Sequence, residues 1–106
     1  MHPFFLLFAV APVTVLGSNI TLGRGSLGGR CCDNGTTDAS DICYLIDMNS
    51  YGCTDVSNSE KHGCDSDRLK NWWIGRDVVY FVPGSEVIHT NQDNHDLEIG
   101  FVACAK

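Results

Sequence analysis

No Lys, Arg, Asp or Glu occurs in the first 17 residues, MHPFFLLFAVAPVTVLG. Without charge, this stretch cannot be a solvated tail, and its apolar run from Phe4 to Leu16 fits the core of a secretory signal peptide. The run is shorter than the roughly 20 apolar residues that span a bilayer, and no later segment is longer, so stable membrane insertion is not expected. Cleavage after Ala9-Val10-Ala11 would place Pro12 just past the cut, whereas Val15-Leu16-Gly17 carries no such block. Removing residues 1–17 of the 106 leaves a mature chain of 89, residues 18–106.

Basic residues are scarce as well. Seven Lys and Arg stand against 13 Asp and Glu, all in the mature part, for a formal net charge of −6. Such a balance excludes a cationic membrane-disrupting peptide and disfavours electrostatic capture of DNA. The chain also lacks any C-x-x-C pair, the short ligand spacing of structural zinc sites, so neither metal nor cofactor is expected. His62-Gly63-Cys64 would offer a ligand or a thiolate base only if Cys64 stayed reduced. Gly23 to Gly28 formally matches a dinucleotide fingerprint, but no strand–turn–helix pattern surrounds it.

What the chain does have is six cysteines: Cys31, Cys32, Cys43, Cys53, Cys64 and Cys104. In a secreted chain an even count reads as disulfides, here holding together one small domain with a modest core. Six cysteines allow 15 pairings, and discarding the strained bridge between adjacent Cys31 and Cys32 leaves 12. The expected arrangement ties Cys104 to Cys31 or Cys32 and uses the other four to link a helix, the N-terminal strand and the 54–64 loop. Asn19-Ile20-Thr21 and Asn34-Gly35-Thr36 are N-glycosylation acceptors in polar, turn-rich surroundings.

Residues 18–30 carry four glycines and read as a flexible lead-in, with one disulfide-rich domain over 31–106. Thr36 to Ser50 is the expected helix, capped by Thr37, Asp38 or Ser40, with Ile42, Cys43, Leu45 and Ile46 on its apolar side. Residues 54–71 show no sustained periodicity. From Trp72 onward, β-branched and aromatic residues predict strands near 77–82, 86–90 and 97–103, with 72–74 a fourth candidate. The predicted fold class is therefore α+β: one helix packed on a small antiparallel sheet, stapled by disulfides. Alternation along a strand would put one of Trp72 and Trp73 in the core and the other exposed, available to a sugar or a partner protein, the equal alternative being both buried in a core short of apolar mass. The run Asp93-Asn94-His95-Asp96-Leu97-Glu98 reads as a solvated hairpin tip, since it lacks the ligand order of a calcium loop.

His62, His89, Arg76 and Glu60 together form an inventory suited to RNA cleavage: one group takes the 2′-hydroxyl proton, another protonates the leaving oxygen, and arginine holds the phosphate. Arg76-Asp77-Val78-Val79, Val87-Ile88-His89-Thr90 and Phe101-Val102-Ala103-Cys104 are similar to the tail of small fungal guanyl-specific ribonucleases of the N1/T1 type, and Asn58 to His62 resembles the segment carrying another catalytic histidine. That resemblance implies active-site roles for Arg76, His89 and Phe101, and a bridge from Cys104 to the N-terminal region. Residues 63–75, however, contain no glutamate where the family has its catalytic one, which implies lost activity if the fold is shared. Leu22 to Ser26, Ile42-Cys43-Tyr44, His62-Gly63-Cys64 and Leu97 to Val102 resemble, in order, motifs of KP4-type fungal killer toxins. Both resemblances imply a small, secreted, cysteine-rich fungal protein. The expected function is binding, in the manner of an effector or toxin-like virulence factor without enzymatic activity, toward a host or target-cell protein or glycan. The alternative is a secreted guanyl-preferring ribonuclease acting on RNA through Glu60, His62, Arg76 and His89.

Overall fold

The structure is a computed structural model and describes residues 18–59, 63–65 and 69–106. The signal-peptide expectation for 1–17, and Glu60 and His62, lie outside the described residues.

From Ile99 to Ala105 the segment LEIGFVACA is an unbroken apolar run, and Leu97–Ala105 forms the central strand, β7. An uninterrupted apolar run suits a strand covered on both faces. Six further strands join it in one mixed sheet: β1 (Asn19–Thr21), β2 (Gly28–Cys32), β3 (Asn49–Ser57), β4 (Ile74–Val78), β5 (Tyr80–Phe81) and β6 (Val87–Thr90). The first half of β7 pairs with β1 in parallel and with β6 antiparallel, while its second half pairs antiparallel with β3 and β5. Beyond β3 come β2 and then β4.

The path β5-β7-β3-β2-β4 cannot lie flat. Five strands about 4.8 Å apart would put its edges about 19 Å from each other. Yet β4 ends at Val78 and β5 starts at Tyr80, two residues along the chain and so within about 7.6 Å. The sheet curls to bring these edges together, with Val79 N donating to Cys104 O at 2.9 Å at the junction. Inside the curl, Cys32, Tyr51, Cys53, Val78, Phe101, Ala103 and Ala105 form one buried cluster, with Phe81 packed on it. On the outer face, Cys31, Cys43, Cys64, Leu69, Trp72, Val87, Val102 and Cys104 form the second. The alternation of β7 divides its residues between the two.

The expected α+β arrangement does not form: the domain is mostly β, and its only described helix, α1, spans Ile42–Leu45. A helix over residues 36–50 would be about 21 Å long, yet Thr36 N donates to Ser50 O at 3.1 Å, so the segment folds back on itself. The Asp38 carboxylate explains why, accepting from Ser40 N at 2.9 Å and Cys43 N at 3.0 Å and offering the backbone a turn in place of a longer helix. Asp41 and Asp47 then take left-handed conformations, φ 59° and 61°, on either side of α1. The stretch 54–71, expected to be irregular, instead opens with the second half of β3. Nor is 18–30 a loose lead-in, since it holds β1 and the start of β2. Gly23 there lies against the β3 backbone, and a Cβ would meet Asp55 N at 2.8 Å and Thr54 Cα at 2.9 Å.

The described cysteines pair Cys31–Cys64, Cys32–Cys53 and Cys43–Cys104, and none is free. Cys104 therefore bonds to α1 and not to Cys31 or Cys32 as expected. Adjacent strand residues point to opposite faces, so Cys31 is bridged on the outer face and Cys32 inside the curl. The Cys43–Cys104 bridge closes the longest loop, with a sequence separation of 61. Chain entropy assigns such a bridge on the order of 4 kcal/mol. Replacing both residues with Ala should lower the unfolding free energy by about that amount, more than loss of either other bridge, as measured by urea denaturation with the remaining disulfides confirmed by mass.

Candidate functional site

The chemistry-bearing side chains collect in two places. On the outer face, Asp33 follows directly from Cys32 and is 2% exposed. Its Oδ1 accepts from Gly35 N at 3.0 Å and Gly52 N at 2.8 Å, and its Oδ2 from the Thr36 hydroxyl at 2.5 Å. His89 on β6 completes the set, with Nε2 2.8 Å from the same Oδ2. An ionised carboxylate only accepts, so Nε2 carries the shared proton. Gly52 is required here, because a Cβ would meet Val87 Cγ1 at 2.5 Å and Asp33 Oδ2 at 2.6 Å. The His89 ring stands edge-on to Trp72, with centroids 4.7 Å apart.

Trp72 leads to a second buried carboxylate. Its Nε1 donates to Glu98 Oε1 at 3.0 Å, Asn71 Nδ2 donates to the same oxygen at 3.2 Å, and Asn91 Nδ2 donates to Oε2 at 3.1 Å. Trp72 lies flat on Gly100, where a Cβ would come within 2.9 Å of its ring and would overlap the Cys53 carbonyl oxygen. The sequence placed Glu98 in an acidic loop tip, yet it is a buried strand residue. Only residues 91–96 form the tip, where the Asn91 and Asn94 side chains accept from nearby backbone N–H groups.

Inside the curl, the Arg76 guanidinium lies over the Tyr51 ring at 3.6 Å from its centroid, and its buried Nε has no hydrogen-bond partner. Arg76 and His89 are therefore not brought together. Arg76 packs on the inner cluster and His89 on the outer one, with the sheet between them. Glu60 and His62 lie outside the described residues, so of the four-residue constellation only the separation of Arg76 from His89 is described. The His89–Asp33 pair has the form of a base and its orienting acid, but the nearest hydroxyl, Thr36, donates to Asp33 and not to the imidazole. Among the described residues no group of three or more His, Cys, Asp or Glu is placed to hold a metal ion.

Of the tandem tryptophans, Trp72 is buried and Trp73 is 48% exposed. Asn19 and Asn34, the glycosylation candidates, are both exposed. On α1, Tyr44 is 80% and Leu45 75% exposed, and Ile46 follows, also exposed. Leu45, expected on the packed side of a helix, instead faces solvent; Cys43 is the one buried residue of α1.

Burial pushes the Asp33 carboxyl up, but hydrogen bonds from Thr36, His89, Gly52 and Gly35 outweigh it and hold its pKa below the ordinary value of 3.8. Stability from a depressed carboxyl is fully present above the unfolded value and is lost as pH falls through the folded one. Asp38 is lowered in the same way, burial being outweighed by bonds from Cys43 and Ser40, and contributes in the same window. Asp33→Asn should cost roughly 3 kcal/mol at neutral pH by breaking a buried pair. It should also flatten, without abolishing, the loss of stability below about pH 4, as read from urea midpoints across a pH series.

Among the described residues no helix is long and apolar enough to cross a membrane. Searches of curated proteins and of solved structures each return no match. A family model does match residues 25–105, from the glycine-rich stretch before β2 to the last residue of β7, and covers all three disulfides and the buried carboxylates Asp33, Asp38 and Glu98. The chain belongs to this family, DUF6413, a family of unknown function.

Proposed function

We propose that the protein is a secreted, disulfide-stapled binding factor, effector-like or toxin-like, whose target is a protein on the surface of another cell. The observation that carries this reading is the set of large apolar side chains on α1. Tyr44 and Leu45 on the four-residue helix and Ile46 just after it are three consecutive exposed apolar residues. A flexible loop would collapse such residues onto the body, but α1 is bonded through Cys43 to the buried Cys104 of the central strand. Left-handed Asp41 and Asp47 bracket it, at a conformational cost the fold sustains. Consecutive exposed aromatic and aliphatic groups on a rigid support are the anchors from which binding hot spots are made.

Charge narrows the partner. Asp38, Asp41 and Asp47 lie within six residues of these side chains in a chain of net charge −6. The complementary surface is an apolar patch rimmed by Lys and Arg. The polar groups of the outer face support binding over catalysis, since His89, Asp33 and Glu98 are all engaged in bonds that hold segments together. Secretion follows from the signal-peptide reading of residues 1–17, and the disulfides accord with an oxidising compartment.

Labelled protein is expected to bind saturably to isolated plant or fungal cell surfaces, to lose that binding when the surfaces are pre-treated with protease, and to keep it after glycosidase treatment. Tyr44→Ala and Leu45→Ser should weaken binding about tenfold or more each, with native disulfides retained. Loss on glycosidase treatment would make the target a glycan. Turnover of RNA, glycan or peptide at enzyme-like rates by the pure protein would overturn the reading.

A further inference from the structure

The open end of the curled sheet holds a cavity of about 470 Å³, lined by Gly75, Arg76, Asp77, Val79, Ala105 and Lys106. That volume lies in the range of small-molecule sites, roughly 300–1,000 Å³. Its distinguishing feature is Arg76. The guanidinium is seated face-on over Tyr51 at 3.6 Å, which fixes its plane. Its Nε is buried without a hydrogen-bond partner, and among the described residues no carboxylate forms an ion pair with it. A half-buried arginine is ordinarily matched by acceptors, since its five N–H groups carry the cost of desolvation. Here no such match is found among the described residues, and the same arginine lines the cavity.

We propose that this cavity binds a ligand through a carboxylate group, that of a peptide C-terminus or of a small organic acid, held by the guanidinium of Arg76. A planar two-oxygen anion matches the guanidinium fork, and stacking on Tyr51 leaves the edge of that fork as its interacting side. Lys106 lines the same cavity and adds a second cation, while Asp77 on the rim cancels one charge. Val79 and Ala105 supply apolar wall for the body of the ligand. This site faces away from His89 and from the helix proposed to meet a protein partner, and it stands or falls independently of that reading.

The test is a nitrogen-15 NMR titration of the mature chain with four probes: an N-acetyl dipeptide with a free C-terminus, the same dipeptide as its C-terminal amide, butyrate, and inorganic phosphate. The expected result is saturable shifts of the Arg76 Nε–H signal and of the Gly75, Asp77, Val79 and Ala105 amides with the free acids. The amide should leave these signals in place. Binding by the dipeptide acid but not butyrate identifies a peptide terminus; equal binding of the two identifies the small acid. Arg76→Met, which keeps an apolar stem over Tyr51, should weaken binding about tenfold or more. Lys106→Ala leaves the sheet untouched and should weaken it less. Absence of saturable shifts, binding of the amide or of phosphate as strong as that of the acids, or unchanged binding by Arg76→Met and Lys106→Ala would each overturn the proposal.

Discussion

Strand β7 has neither a free edge nor a free face, and the rest of the molecule is arranged to meet that constraint. Four strands hydrogen-bond to it, β1 and β3 along one edge and β5 and β6 along the other. Its even-numbered residues from Glu98 to Cys104 face the outer layer and its odd-numbered residues from Phe101 to Ala105 fill the curl. A strand this apolar is an aggregation hazard when exposed. Complete enclosure removes the hazard, and the curl is what makes enclosure achievable in a chain this short.

Each cover is fastened differently. Inside, the lining residues are small or aromatic, and the Cys32–Cys53 bridge joins neighbouring strands directly. Outside, three separate parts of the chain lie on the sheet: the 33–48 excursion, Cys64 with Leu69 and Trp72, and the β6 hairpin. Cys43–Cys104 and Cys31–Cys64 fasten the first two covalently. Asp33 and Glu98 fasten them again through hydrogen bonds, Asp33 joining the first segment to β3 and β6, and Glu98 joining the second to the β6–β7 hairpin. Asp38 is buried as well and holds the turn within the first segment; carboxylates such as Asp33 and Glu98 are costly in a small domain unless saturated. Both are saturated, and their role is to set the position of covers that have little apolar area of their own. This arrangement leaves α1 with almost nothing to bury except Cys43, and its large side chains in solvent.

Reading particular elements shows where sequence reasoning reached and where it stopped. Strands β6 and β7 were evident from β-branched and aromatic runs, whereas the division of Trp72 and Trp73 between core and surface arises just before β4 begins, outside any strand. Strand β3, NSYGCTDVS, escaped notice because its outer face meets polar groups, with Gly52 and Thr54 buried beneath Asp33 and the Cys31 carbonyl. Hydrophobic periodicity cannot register a face that is buried against hydrogen-bonding partners. The helix was overestimated for the converse reason: residues 36–50 satisfy a helical pattern locally, but Asp38 captures the backbone first. Arg76 and His89 were grouped by chemical type, and only the register of β4 and β6 shows that they belong to opposite faces.

From sequence alone follow the single small domain, the acidic character and the six cysteines that act as disulfides, because composition and cysteine count bear on these without reference to geometry. The signal-peptide reading likewise rests on sequence alone. Tertiary structure decided which cysteines meet, which acidic residues are buried and which apolar ones are left outside. Pairing and burial depend on contacts between residues far apart in the chain, such as Asp33 with His89 and Cys43 with Cys104, and no local window contains both partners. The same holds for the two surfaces assigned here to binding. An apolar residue at 45 reads as core until the helix around it is seen to be one turn long, and an arginine at 76 reads as one of a catalytic set until its Nε is seen to be buried with no partner among the described residues.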